Sequence, residues 1–389
     1  MAITDKKTGV WGLDQTYNKI NQGSIWDYAG LVKFMAWGNN NRGELGQNSQ
    51  VKYSSPVQVG SDTDWDLSHR GAGESFVLKK TDETLWAIGN NERGQAGQNN
   101  DSPGYSSPVQ IPGTTWDFVW QYSGSTVKAT KTDGTMWVWG NASWGVLGLN
   151  ESHPGKSGYS SPTQLPGSWA TGDNKHTGYG SVSIGIKSNN TLWAWGYGAD
   201  GRLGLGNNTP RSSPTQIPGT TWSTVVLGTN LESGGAIKTD GTLWTWGANG
   251  FGQLGDNSRT NRNSPVQVGS DTTWDRAAYG SSCLYAFKTD GTLWAWGQNT
   301  YGQLGQNNTT EYSSPVQVPG TTWTKYAPYS SGVGIGALKS DNTLWIWGRN
   351  DMGELAQNDR TDRSSPTQVA GNWSQVAPTG QGFWAKFDA

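Results

Sequence analysis

The chain has 389 residues and a formal net charge of −2, with 28 Lys and Arg against 30 Asp and Glu, so it has none of the basic excess that a generic phosphate-binding surface needs. Its single cysteine, Cys283, excludes an internal disulfide. Only 15% of residues are charged, yet 24 Trp, 14 Tyr and 7 Phe supply the burial that a disordered chain lacks.

The opening residues MAITDKKTGV lead into no apolar segment, so no secretory signal is expected. No window approaches the length of a transmembrane helix, and membrane insertion is not expected. Leu13, Tyr17 and Ile20 stand at i, i+4 and i+7 and predict a short amphipathic helix that stops at Gln22-Gly23. So short a helix is not stable alone. Trp11, Leu13, Tyr17, Ile20 and Trp26 are therefore expected to anchor residues 1–30, either on the chain's own body or on a larger assembly.

From residue 31 to 389 the chain repeats. Trp-x-Trp-Gly, or a near form, ends at Gly38, Gly89, Gly140, Gly196, Gly247, Gly297 and Gly348. A Ser-Pro pair followed by Val or Thr and then Gln recurs at Pro56, Pro108, Pro162, Pro214, Pro265, Pro315 and Pro366. Each is followed by a lone tryptophan: Trp65, Trp116, Trp169, Trp222, Trp274, Trp323 and Trp373. One period, close to fifty residues, governs all three markers.

Within one unit, 214–217 reads as an edge strand, because proline cannot donate to a central ladder. Residues 222–226, 236–238 and 243–246 read as three more strands, the last two joined by an Asp240-Gly241 hairpin turn. Alternation puts Trp244 and Trp246 on one face, with Leu243 and Thr245 on the other. Four short strands recurring in this way predict an all-β fold, a seven-bladed β-propeller. The last unit stops at 383–387 without its own Trp-x-Trp-Gly strand, and 32–38 supplies an orphan one. The ring is thus expected to close by the N-terminal strand joining the C-terminal blade, which removes an exposed edge.

No nucleophile elbow, phosphate loop, metal cluster or catalytic carboxylate pair stands out, so no enzyme, cofactor or metal is expected. The glycine-rich loops after each Trp-x-Trp-Gly follow a strand but open no helix. Asp133, Asp240 and Asp290 each offer one carboxylate in a turn, far short of a calcium shell. The repeated tryptophans are expected to pack the core, since a scaffold role is equal in every unit.

Recognition is expected where the units differ. One loop position reads Arg42, Arg93, Trp144, Asp200, Phe251, Tyr301 and Met352, and its large apolar members Trp144, Phe251, Tyr301 and Met352 are candidate partner-binding residues. Two insertions, at 149–161 and 170–180, carry His153, Lys156 and His176, which join the candidates because long loops on a rigid scaffold commonly carry recognition.

The strings WGANGFGQLGDNS at 246–258, WGQNTYGQLGQNN at 296–308 and AIKTDGTLWTWG at 236–247 resemble the RCC1 (regulator of chromosome condensation) repeat family, a seven-bladed propeller. A Gly-x-x-His pair common in that family is replaced here by Gly228-Thr229-Asn230-Leu231 and Gly280-Ser281-Ser282-Cys283, so nucleotide exchange is not carried over. The Trp-rich style resembles prokaryotic and phage members, and GVWGLDQTYNKINQGSIW at 9–26 resembles N-terminal segments of marine phage structural proteins. The resemblance implies a non-catalytic virion component, joined to other virion proteins through residues 1–30 and presenting the propeller to a host-surface protein or glycan. Nucleic acid is not an expected partner. The alternative expectation is a cytoplasmic protein-interaction scaffold.

Overall fold

The structure, a computed structural model, describes residues 34–38, 40–66, 75–101, 104–122, 125–151, 158–172, 174–179, 181–228, 232–328, 334–378 and 383–387. The expected helix and all five anchor residues lie outside them, as do His153 and Lys156. The described chain is all-β, apart from 3-10 turns at Ser143–Gly145 and Ala199–Gly201.

Among the described residues, six sheets of four or five strands follow one another in chain order. The fourth shows the pattern: Trp222–Val225, Ser233–Lys238, Leu243–Gly247 and Arg262–Gln267 pair in that order, all antiparallel. The strand limits agree with the sequence reading to within a few residues, but the edge strand read at 214–217 lies at Arg211–Gln216 and pairs with Leu192–Gly196 of the third sheet, so the fourth sheet takes its edge strand from the next repeat. Trp244 faces Gln267 and Thr245 faces Val266, after which the register shifts before Gly247 meets Arg262. Pro265 falls in that irregular stretch of an edge strand, where its missing N–H breaks no ladder. Two-stranded ladders stand at the ends of the described chain: Met35–Gly38 with Tyr53–Gln58, and Trp373–Pro378 with Phe383–Phe387.

The core lies between sheets. Val182, Ile184 and Ile186 of the third sheet pack with Trp222, Val225 and Trp246 of the fourth. On the other face of the fourth sheet, Leu243 and Ile237 pack with Trp274, Tyr279 and Trp296 of the fifth. Both faces of the inner strands are therefore buried, which is why they read as apolar throughout. The same stacking continues outward. Phe34 and Ala36 pack against a cluster that holds Trp65 and Leu78 of the first sheet, and Val376 packs with Leu338 and Leu344 of the sixth.

Neighbouring sheets are also latched by polar groups. Asn257 takes a left-handed turn with φ 59°, its N–H donates to Ser313 of the next unit at 2.8 Å, and Ser314 Oγ donates to its Oδ1 at 3.3 Å. Asn99 with Ser160 and Ser161, Asn150 with Ser212 and Ser213, and Asn307 with Ser364 and Ser365 repeat the arrangement. Gly252 sits beside the latch at φ 80°, and a Cβ there would lie 2.7 Å from Ser313 Cα. Gly43 meets Ser106 in the same way, at 2.6 Å. Only glycine tolerates both the backbone angle and the approach.

Candidate functional site

Each sheet's hairpin builds a fixed relay. Asp240 Oδ1 accepts from the Thr242 N–H at 3.0 Å and from its hydroxyl at 2.7 Å, and Trp244 Nε1 donates to that hydroxyl at 2.9 Å. Asp133–Thr135–Trp137 and Asp290–Thr292–Trp294 are built alike. The threonine hydroxyl holds each of these carboxyls below the usual carboxylate range. A lysine covers the indole: Lys238 Nζ lies 4.3 Å from the Trp244 ring and Lys288 Nζ 4.0 Å from Trp294. These aspartates thus serve their own turns. Trp244 is half-buried, whereas Trp246, two residues on, is fully buried.

The loop after each Trp-x-Trp-Gly strand is held by two side chains. Asn249 is fully buried; its Oδ1 accepts from the Leu254 N–H at 3.0 Å and its Nδ2 donates to the Thr260 carbonyl at 3.1 Å. Gln253 Oε1 accepts from the Phe251 N–H at 3.0 Å. The pairs Asn40 and Glu44, Asn91 and Gln95, Asn299 and Gln303, and Asn350 and Glu354 do the same work in their own units. In each, the residue whose N–H is held is the variable one: Arg42, Arg93, Phe251, Tyr301 or Met352.

Two consecutive units break this rule. Ala142 and Val146 replace the pair in one, and Gly198 and Arg202 in the next. With neither side chain available, the variable residue turns left-handed: Trp144 has φ 61° and Asp200 φ 57°. Trp144 is 54% exposed, yet its ring lies 4.6 Å from that of Tyr197 in the next unit. Tyr197 is covered on its own account by the Arg202 guanidinium, 5.1 Å from its centroid. Arg202 donates from Nε to the Ala199 carbonyl at 2.8 Å and pairs with Asp200 at 2.9 Å. An indole, a phenol, a cation and an anion therefore share one patch.

The other variable residues stand at the same end of their sheets. Met352 is 66% exposed and Phe251 37%, while Tyr301 is half-buried with Arg349 5.3 Å over its ring. His176 requires a correction. It was expected on a surface insertion, but it lies in the strand His176–Tyr179 with no exposed surface. Its ring packs 4.6 Å from Trp120 and 5.8 Å from Trp169, and Nε2 is 2.7 Å from the Ala170 carbonyl. Gly185 makes the room, since a Cβ there would come 2.5 Å from His176 Nδ1. Burial pushes the imidazole down to about 3, so it stays neutral. Such a residue cannot touch a partner.

Sequence reasoning missed Lys128, Tyr197 and Arg202. Lys128 is fully buried, with Nζ 3.4 Å from the Thr177 carbonyl and 5.1 Å from the Trp195 ring, and burial alone brings it down to about 7. The available signal was a charge at a strand position where the neighbouring units have Val77 and Ile184. For Tyr197 and Arg202 the signal was the lost Asn and Gln.

A groove of about 400 Å³ runs between the second and third sheets, lined by Leu149, Leu165, Pro166, Lys187, Trp193 and Pro214. Among the described residues, no three His, Cys, Asp or Glu side chains gather as metal ligands. Nor is any described helix long and apolar enough to cross a membrane.

The regulator of chromosome condensation (RCC1) repeat matches residues 189–231, 240–286 and 290–327 of the chain. It is 41% identical over 87 residues to the X-linked retinitis pigmentosa GTPase regulator homolog of Caenorhabditis elegans, which spans 22% of this chain and 6% of that protein. Its fold is that of human WBSCR16, with a TM-score of 0.69 at 19% identity over 92% of this chain and 100% of the other. Prp20p of Saccharomyces cerevisiae superposes with a TM-score of 0.67 at 16% identity, over 91% of this chain and 90% of that one. The architecture is thus that of RCC1-like propellers.

Proposed function

We propose that this RCC1-like repeat chain is a non-catalytic interaction scaffold, seven units closed into a ring, whose loop end binds a protein partner. The observation that carries the reading is the division of labour within each unit. Indole, asparagine and glutamine or glutamate positions recur with one geometry, while the loop residue between them varies; it is large and exposed at Phe251 and Met352, and also at Trp144, whose unit lacks the pair. Exposed aromatic and methionine side chains on a rigid frame are the usual stuff of protein recognition.

Closure is supported by the two terminal ladders, each stacked on the outermost sheet at its end. The latches support it too: Asn358 takes the left-handed turn at φ 58°, and the repeat register assigns it Ser54 and Ser55. Cysteines introduced at 358 and 55 should form an intramolecular disulfide on mild oxidation. A bond found only between molecules would refute the ring.

The setting we favour is a virion component, with residues 1–30 joined to other virion proteins and the propeller presented outward. The reading is supported by the resemblance of residues 9–26 to phage structural segments. An intracellular regulatory scaffold is the second reading, favoured by a relative named as a GTPase regulator homolog and by a structural neighbour, Prp20p, described for its binding to Gsp1p and histones. Fractionation decides: the first requires the chain in purified particles, the second in soluble complexes of uninfected cells. In either setting, Phe251→Ser with Met352→Ser should abolish capture of the partner that the unaltered chain retains.

A further inference from the structure

We propose that Trp144, Tyr197, Arg202 and Asp200 form a subsite for a neutral pyranose. The inference deepens the reading that the loop end binds, and it names a ligand for one part of that end.

Two adjacent units surrender the same hydrogen bonds at this place and nowhere else among the described loops. Ala142 and Gly198 cannot hold the backbone as Asn249 does, and Val146 and Arg202 cannot accept from the loop N–H as Gln253 does. Losing both lets the variable residue turn left-handed, which is costly for any side chain bearing a Cβ and most of all for a bulky one. Trp144 carries that strain and is 54% exposed. Packing does not explain such an arrangement, because the tryptophans that pack this fold, Trp222 and Trp246 among them, are fully buried.

The chemistry around Trp144 selects the ligand. Its indole offers an apolar face supported on one side by Tyr197, at 4.6 Å. Pyranoses present a flat C–H face of matching size, with hydroxyls around the rim. At the rim of this patch stand an exposed carboxylate, Asp200, and a guanidinium, Arg202, held to each other at 2.9 Å. Asp200, the more exposed of the two, accepts from sugar hydroxyls in charge-assisted bonds, and Arg202 holds it in place. Because the two charges are paired, the patch offers no net attraction to an ionic ligand. A phosphate or sulfate on the ligand would meet the more exposed charge, Asp200.

The test is calorimetric titration of the whole chain with α- and β-linked gluco-, manno- and galacto-oligosaccharides, with sialylated and sulfated glycans as comparators. At least one neutral series should bind. Trp144→Ala and Asp200→Asn should each weaken it by about tenfold or more, with melting temperature retained, and Phe251→Ser should leave it unchanged. No binding across the neutral series would overturn the proposal, as would binding indifferent to Trp144→Ala or preference for the acidic glycans. A protein partner lost on Phe251→Ser with Met352→Ser but retained on Trp144→Ala would leave the interaction-scaffold reading standing by itself.

Discussion

The indole Nε1 of Trp296 lies 3.0 Å from the backbone carbonyl of Gln253, one repeat unit earlier. Trp139, Trp195, Trp246 and Trp347 reach back in the same way to Gln95, Val146, Arg202 and Gln303. Each of these rings therefore fills the core between two sheets and ties the loop of the preceding unit. Trp296→Phe keeps most of the volume but deprives a buried carbonyl of its donor, at about 1–3 kcal/mol. Trp296→Ala should cost about 3–5 kcal/mol. Trp294→Phe, at a half-buried ring that bonds Thr292, should cost less than Trp296→Phe. Urea unfolding of the three variants measures the order, and equal losses at 294 and 296 would contradict it.

Asn299 spans its loop from within, accepting from the Leu304 N–H at 2.9 Å and donating to the Thr310 carbonyl at 2.8 Å. Asn299→Ala should cost about 1–3 kcal/mol, since it strands buried backbone groups. With Gln303→Val added, which also frees the Tyr301 N–H, Tyr301 should adopt the left-handed turn seen at Trp144. A crystal structure of the variant would reveal that turn or exclude the explanation given for Trp144.

Lys128 makes stability depend on pH. Its amine titrates at about 7 in the fold against 10.5 ordinarily, because burial disfavours the charged form. Between those values the unfolded chain binds the extra proton, so stability rises with pH across this window. Below about 7 the fold carries the cation in its core. Lys128→Met should stabilise the chain at pH 6 and flatten the rise between pH 7 and 10 in thermal melts. A variant with an unchanged slope would show that the rise originates elsewhere.

A Cβ at Gly178 would stand 2.7 Å from the Val182 carbonyl oxygen and 2.9 Å from the Lys128 Nζ, so the ammonium shares the space that this glycine leaves. Gly178→Ala should therefore be destabilising, and less so in the Lys128→Met background. A double-mutant cycle with no coupling between the two sites would refute the steric link.

Phe251→Ser and Met352→Ser, at exposed loop positions, should each change stability by no more than about 0.5 kcal/mol. Large melting losses at either would place that side chain in the scaffold.

The fold was legible because its markers are tied to backbone constraints: proline in an irregular edge strand, Asp-Gly at the hairpins, alternate tryptophans on the inner strands. Strand limits around Trp222, Leu243 and Phe383 could be read for that reason. His176 was misread because length alone suggested a surface loop, whereas Gly185 across the hairpin leaves a slot for the ring. Trp144, Phe251 and Met352 were legible as variable positions. Tyr197 and Arg202 were not, because what singles them out is the removal of bonds made by Asn and Gln, and those bonds exist only once the loop is folded.

The close approach of Gly252 to Ser313, repeated at Gly43 and Ser106, gives successive seams a common gauge. Gly94, Gly145, Gly201 and Gly302 approach Ser160, Ser212, Asn263 and Ser364 in the same way. Recombination between repeats can thus exchange whole units while these seams keep their fit, whereas a single lost glycine wedges open its own joint.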